Sequence, residues 1–408
     1  LNQEKKNWFE YAIVILLSML VFLFPIAHTA TIKAILFIGA FTVWFAKMAV
    51  QREWHFQKTS IDWFLLGYLF FGIASLFSSV DRLATANAIK KEMIINFIIV
   101  YIIVNNLKQT SHNKSVLITI LFGNLVMVTY GFYDYFITQK GNLYNPDIRF
   151  YSLSSDFAFF SAYLVTTFPF IFIAFFYLKK LRTKIFLFPL FVLNILALYL
   201  NHQRGAWIAV FTGCFFVLLI LKKWKTLSMF VLIPVLIYML LPTHVFLRHE
   251  KLMVESGTIR FMAGTGSIAP RITVWKFALD EIAKNPFTGY GLGRDNFAKK
   301  YPQFKEKFGP TLFHAHNIFI DTALQMGIGG LIVFLLIIMK MLQIHWLSFK
   351  KSTTNLQHYL SLSIFVITIG YFTRNFFDTL FVSDSGSFIW FLWAIGISQY
   401  IHQVKTND

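Results

Sequence analysis

The sequence predicts an all-α polytopic membrane protein, and three observations carry that expectation. Hydrophobic residues make up 57% of the 408 and charged residues 14%, with mean hydropathy +0.60, more apolar surface than a soluble core of this length needs. The apolar stretches are near-continuous over about 20 residues, the length of a membrane-crossing helix, and they lack the polar alternation of barrel strands. One long polar segment, from His244 to Asn317, interrupts them. The expected architecture is about twelve transmembrane helices with one long outward-facing loop that contains amphipathic helices.

Taken in order, spans are expected near 8–27, 30–49, 61–80, 92–106, 115–137, 156–177, 185–200, 206–221, 227–242, 317–340, 358–381 and 386–403. The chain then divides into helices one to nine over 1–243, the loop with its short helices over 244–313, and helices ten to twelve over 314–408. Lys5 and Lys6, Arg52 and Lys58, Lys108 and Lys114, the Lys179–Arg182 run, the Lys222–Lys225 run and Lys350–Lys351 all fall on one side under this count. That side is cytoplasmic by the positive-inside rule, which places both termini there and the long loop outside. The loop is also basic, but loops beyond about 60 residues cross largely regardless of charge.

The formal net charge of +18 would suggest a nucleic-acid partner in a soluble protein. Here the cations lie mostly in short loops, so they read as topology signals beside anionic lipid: membrane lipids are expected partners and nucleic acid is not. Cys214 is the only cysteine, so no intramolecular disulfide can form. The first span can target itself without a cleavable signal peptide. The sequence opens on Leu1 without methionine, and residues preceding it are an expectation.

Within the loop, Ile272, Trp275, Leu279 and Ile282 recur at helical spacing after Pro270, with Lys276, Asp280, Glu281 and Lys284 on the other face. This predicts an amphipathic helix against the membrane or the bundle. Asn285-Pro286 ends it, and Gly289-Tyr290-Gly291-Leu292-Gly293 makes a turn before a second helical stretch from about Asp295 to Lys307. The three glycines are not a dinucleotide fingerprint, because no strand precedes them. Gly327 and Gly330, inside span ten, read as close helix packing.

Several polar residues sit where chemistry could occur. Arg204 lies at the tight joint Asn201–Gly205 between spans seven and eight, at the outer boundary. Mid-bilayer arginine costs roughly 2.5–3.5 kcal/mol, so it should face water, a cavity, a phosphate or lipid headgroups. Arg271 opens the amphipathic helix, where backbone N–H groups favour an anion. His314 and His316 stand where the aqueous loop enters span ten; imidazole titrates near neutral pH and serves as a general base where a hydroxyl can reach it. No third ligand follows them at a recognisable spacing, so no metal site is expected. Arg374 and Asp378, four apart, share a helix face as an ion pair, or else Asp378 orients a histidine or an arginine.

Three stretches together resemble the O-antigen ligase and polymerase family of bacterial inner-membrane proteins. They are Gln203-Arg204-Gly205-Ala206-Trp207; Arg271-Ile-Thr-Val-Trp275 running to Asn285-Pro286-Phe-Thr-Gly289-Tyr290-Gly291; and His316-Asn317-Ile-Phe-Ile with Gly327 and Gly330 behind it. Gln203 stands where the family commonly has serine before the first arginine. The resemblance covers the second half of the chain well and the first half only through hydropathy.

The resemblance implies glycan transfer from an undecaprenyl-diphosphate-linked donor onto a sugar hydroxyl of lipid A core, at the periplasmic face of the inner membrane. It would be metal-independent, inverting and without a cofactor. Arg204 and Arg271 would bind the diphosphate as fork-shaped donors, and His316 would be the catalytic base, with His314, Asp378 and Arg374 in support. The compact loop of about 70 residues and the lack of a large soluble C-terminal extension favour the ligase over the protein-glycosylating branch. An O-antigen polymerase is the alternative within the family. A lipid-linked oligosaccharide flippase or other transporter is the alternative outside it, which would call for internal repeats and mid-membrane charges in both halves.

Overall fold

A computed structural model describes residues 2–52, 54, 56–142, 148–240, 268–308 and 314–407. Much of the long loop (244–267 and 309–313) and the end of span nine (241–242) lie outside the described residues. The chain is all-helical there: α1 (Asn2–Leu23), α2 (Ala30–Gln51), α3 (Asp62–Ala74), α4 (Arg82–Ala88) continuing through a π-helical turn (Ile89–Ile94) into α5 (Ile95–Asn106), α6 (Thr110–Tyr133), α7 (Phe157–Tyr177), α8 (Leu181–Asn201), α9 (Arg204–Ile220) and α10 (Trp224–Leu240). The loop contributes α11 (Ile268–Lys284), α12 (Asp295–Lys300) and α13 (Pro302–Phe308), and α14 (Ile318–Lys351), α15 (Asn355–Asn375) and α16 (Ser383–Asn407) follow.

Each expected span falls largely on one of these helices. Among the described residues, six helical stretches are long and apolar enough to cross a membrane: Ala30–Gln51, Thr110–Thr138, Phe157–Tyr177, Leu181–Asn201, Ile318–Lys351 and Asn355–Asn375. Trp8–Leu23, Asp62–Ala74 and Arg204–Ile220 are shorter apolar helices. Large apolar side chains also point outward, Trp63 at 82% and Phe186 at 85% exposure among them, a surface that water would penalise and lipid accepts. The chain is a multi-pass membrane protein.

The centre of the bundle is α15, which packs on α7, α9, α14 and α16 and buries most of its length. Small residues allow the close approach: a Cβ on Gly370 would lie 3.1 Å from the Ala209 carbonyl oxygen of α9, and one on Gly213 3.3 Å from Val366.

The structure changes the expectation for span ten. Gly327 adopts φ 75° and ψ 176°, outside the helical region, so α14 is a short half-helix up to Met326 followed by a long helix from Ile328. Residues 285–293 of the loop fill the break. The Ile328 N–H, whose helical partner would be the Leu324 carbonyl, donates to the Pro286 carbonyl at 2.8 Å. Leu324 O and Gln325 O are taken by the N–H groups of Tyr290 (2.9 Å) and Gly291 (3.2 Å). Backbone groups freed by the break are therefore satisfied by the turn, as buried backbone requires. Gly327 is thus a break point rather than a packing glycine, and Gly289 exists to let the turn in: a Cβ on it would sit 1.9 Å from the Gln325 carbonyl oxygen.

For one loop expectation the structure adds which residues face the protein, and for the other it corrects the length of the element. In α11, Ile272 and Leu279 are exposed, while Arg271, Val274, Trp275, Ala278 and Ile282 face the protein. The rotation is fixed by two anchors, Arg271 Nη1 donating to Phe377 O (2.7 Å) and Trp275 Nε1 donating to Ala315 O (2.7 Å). Periodicity finds an apolar stripe but cannot tell which flank a hydrogen bond will turn inward. The stretch 295–307 is two short helices, because Pro302 cannot donate back into the first. Val274, Ala278, Tyr290, Phe297, Tyr301, Phe304, Ala315 and Leu324 form a small core of their own, which binds the loop to the half-helix.

Gly289→Ala and Gly327→Ala should each lower yield and melting temperature markedly, since one collides with backbone and the other adds a forbidden φ. Gly39→Ala and Gly67→Ala, where a Cβ would meet only ordinary side-chain contacts at 3.6 and 3.5 Å, should melt like the parent. Equal melting of all four in detergent would remove the turn from its structural role.

Candidate active site

Asn317 caps α14: its Oδ1 accepts from the N–H groups of Phe319 (3.0 Å) and Ile320 (3.2 Å), so the cap immediately follows His316 and the helix starts at Ile318. His316 itself takes a left-handed conformation, φ 51°, which reverses the chain before the cap. The two imidazoles lie together, with ring centroids 3.9 Å apart, but their surroundings differ. His314 is buried with Nδ1 3.1 Å from Asp321 Oδ2 and 3.0 Å from the His316 backbone nitrogen; protonated, that nitrogen donates to the carboxylate, and unprotonated it accepts from the His316 N–H. His314 therefore does not lie further out in the loop, as its sequence position suggests, because Asp321 from the next turn draws it inward. Asp321 is itself held by the Ala315 N–H (2.9 Å) and the Thr379 hydroxyl.

His316 keeps 16% of its side chain exposed, and its Nδ1 lies 3.2 Å from Asp378 Oδ1. With Nδ1–H donating to that carboxylate, Nε2 is the basic nitrogen. Asp378 Oδ1 also accepts from the Thr379 N–H (2.9 Å), while Oδ2 accepts from Arg374 Nη2 (3.0 Å). Arg374 is 1% exposed and anchored on three sides, with Nε donating to Ser161 Oγ (3.2 Å) and Nη2 also donating to Gln203 Oε1 (3.2 Å). The ion pair and the histidine-orienting contact, alternatives in the sequence, coexist because Asp378 offers one oxygen to each. Removing one partner of such a buried pair costs about 3–5 kcal/mol.

The electrostatics separate the two histidines. Burial pushes His314 down to about 4, His316 beside it adds to the shift, and Asp321 opposes it, so His314 is neutral at pH 7 and a weak base. Burial works to raise Asp378, but Arg374, then the hydrogen bond and charge of His316, hold it well below the usual carboxylate range. Asp378 is an anion that can steady an imidazolium at His316.

Arg271 shares this surroundings through Phe377, the residue before Asp378. Burial lowers its pKa, with Asp378 opposing and Arg374 adding to the shift, leaving a poorly solvated guanidinium that an anion would relieve. Arg204 is exposed at the first residue of α9, and a Cβ on its neighbour Gly205 would lie 3.4 Å from Arg374 Nη1 and 3.5 Å from Phe377 Cβ. The joint that carries it is set by buried Asn201, whose Nδ2 donates to Phe150 O (2.7 Å) and Phe157 O (2.9 Å). Residues distant in sequence thus meet at one end of the bundle.

The sequence reading gave no role to five contributors, one of them Ser161 on Arg374. Gln203 binds Arg374, Asp321 binds His314, and Thr379 reaches both carboxylates. Arg294 stacks its guanidinium 5.7 Å from the Phe159 ring centroid, and its charge helps depress His314. Only the flanking motif around Gln203 hinted at any of them. The fold also supplies the third metal-ligand type absent from the local spacing, because ligand atoms of His314, His316 and Asp378 lie within 4.8 Å of one another. The donor set fits a cation poorly. Asp378 already bonds Arg374 and the Thr379 N–H, and a guanidinium 3.0 Å away repels a second positive charge.

Residues 189–335, which include Arg204, Arg271, His314 and His316 but not Asp378, match the sequence profile of the family described as O-antigen ligase. A Rickettsia conorii protein with the provisional name polysaccharide ligase is 33% identical over 89 residues, 21% of this chain and 22% of that protein. Its Rickettsia felis counterpart is 32% identical over the same shares. The general O-oligosaccharyltransferase of Acinetobacter baylyi is 25% identical over 190 residues, 43% of this chain and 32% of that protein. The matched stretches thus span about a fifth to a third of these relatives. Over residues 189–335, the stretch that carries the two arginines and the histidine pair, the chain is thus similar to the O-antigen ligase family, and these relatives agree with that match.

Proposed function

We propose that this protein is an O-antigen ligase that transfers a glycan from undecaprenyl diphosphate to a sugar hydroxyl of lipid A core, at the periplasmic face of the bacterial inner membrane. The observation that carries the reading is the His316–Asp378 contact beside two arginines, within a chain similar to this family. In the proposed step the acceptor oxygen attacks the anomeric carbon while its proton passes to His316 Nε2. The bond from that carbon to the diphosphate oxygen breaks, and the pair of electrons leaves with the diphosphate. Arg204 and Arg271 hold the departing charge, Asp378 stabilises the imidazolium, and Arg374 and His314 keep Asp378 and His316 in place. Direct attack inverts the anomeric centre, and the pre-activated donor makes a metal or other cofactor unnecessary. Twelve crossings, with residues 1–243 and 314–408 flanking a periplasmic loop over 244–313, and both termini cytoplasmic, complete the proposal.

A second reading of the acceptor, a protein hydroxyl, takes its support from the oligosaccharyltransferase of Acinetobacter baylyi. The deletion strain separates the readings. Loss of polymer on the lipopolysaccharide core, with lipid-linked polymer accumulating, is expected for the ligase; core bearing a single repeat indicates a polymerase, and an intact lipopolysaccharide with unglycosylated protein indicates the second reading.

Three measurements bear on the mechanism. A cysteine at Lys299 should react with an impermeant reagent in cells with a permeabilised outer membrane, while one at Lys180 should not; the reverse pattern would invert the topology. His316→Ala should lose about 10²–10⁴-fold in turnover with purified donor and acceptor while donor binding and melting stay near the parent's. Normal turnover, or a loss that only tracks unfolding, would move the base elsewhere; chelator should leave the parent's rate unchanged. Arg204→Lys and Arg271→Lys should each lose most activity, since ammonium keeps charge without the bidentate fork, and full activity in both would sink the diphosphate role.

A further inference from the structure

A cavity of about 150 Å³ opens where the C-terminal end of α1 meets the N-terminal ends of α7 and α16, and none of the site residues above lines it. Helical spacing explains its separation from the dyad. Phe159, Tyr163 and Thr166 share the face of α7 that lines the cavity, whereas Ser161, which binds Arg374, lies on the opposite face. The two sites nevertheless share parts. The connection that carries Asp378 runs directly into Ser383, Asp384 and Ser385 on the cavity wall, and Phe159 carries Arg294 on its ring.

The wall is unusual for a chain this apolar. The hydroxyls of Ser154, Ser155 and Ser383 have no hydrogen-bond partner among the described residues, so they remain available to a guest. Asp384 accepts from buried Lys33 through Oδ2 at 2.8 Å, and its other oxygen has no partner among the described residues. Aromatic rings line the same cavity, among them Phe159, Tyr163 and Phe388. The one carboxylate is paired with Lys33, so the wall carries no net charge to hold an ion, and an acyl chain would set apolar surface against three serine hydroxyls and a half-exposed carboxylate. A neutral polyhydroxylated ring answers all of them: its C–H face packs on the aromatics and its hydroxyls donate to the carboxylate and exchange hydrogen bonds with the serines. The volume is roughly ten times what one water needs, room for one such ring.

We propose that this cavity is a subsite for one neutral sugar residue of the glycan substrates, removed from the residue that reacts at His316. The substrate class rests on the glycosyl-transfer reading above. Binding energy at such a remote subsite would select the glycan and position it for the reacting end.

The test uses the full chain in lipid nanodiscs and saturation-transfer NMR with the methyl glycosides of glucose, galactose, N-acetylglucosamine and rhamnose. At least one should receive magnetisation from the protein. Ser155→Trp, a change at an exposed position that fills the cavity, should abolish the transfer without altering melting. Asp384→Asn should weaken binding about 10-fold or more, as loss of a charged hydrogen-bond acceptor does. His316→Ala should bind the same sugar normally. No transfer from any of the four, transfer that survives Ser155→Trp, or displacement of the sugar by dihexanoyl phosphatidylethanolamine would overturn the subsite. Absent sugar binding in a protein that turns over would sink the subsite alone, whereas sugar binding in a protein whose His316→Ala variant turns over normally would sink only the dyad.

Discussion

The demand that every buried backbone group find a partner shapes this end of the molecule. Once Gly327 breaks α14, the carbonyls of Leu324 and Gln325 and the N–H of Ile328 need new partners, and residues 286–291 supply them. The same exchange fixes the half-helix 318–326, whose first turn carries Asp321 and whose cap immediately follows His316. It also draws the loop inward, so that α11 can reach the bundle through Arg271 and Trp275. The candidate site is thus positioned by a backbone repair several residues away from it.

Charge then decides which polar side chain can do chemistry. Two histidines stand in contact, but His314 loses its affinity for a proton to burial and to its neighbour, whereas His316 sits at the edge against a carboxylate held anionic by Arg374. The arrangement divides labour: one oxygen of Asp378 serves the arginine and the other the imidazole. Arg374 is itself locked by Ser161 and Gln203, from α7 and from the joint before α9. A buried charge network of this kind is costly to leave incomplete, which ties the site's geometry to the packing of the central helices.

The cavity between α1, α7 and α16 extends the same logic to recognition. Its hydroxyls and its half-used carboxylate are kept at the end of an otherwise apolar bundle, beside rings that would serve equally well as plain packing. The segment 378–385 links it to the dyad, so a ligand lodged there and the reacting groups are held by one stretch of backbone.

The sequence by itself determined the membrane class and the all-helical character of the chain, and it picked out the candidate residues Arg204, Arg271, His316, Arg374 and Asp378, because hydropathy, chain punctuation and isolated charges are local properties. It also placed Arg374 and Asp378 on one helix face, four residues being about one turn. Only the tertiary structure decided that Asp378 meets His316 across 62 positions, that Gln203 and Ser161 hold Arg374, and that Asp321 buries His314. It likewise made Gly327 a break in α14 and turned Trp275 and Ile282, half of the apolar stripe of α11, toward the protein. These are outcomes of long-range hydrogen bonds, and a hydrogen bond between distant residues leaves no periodicity in the chain.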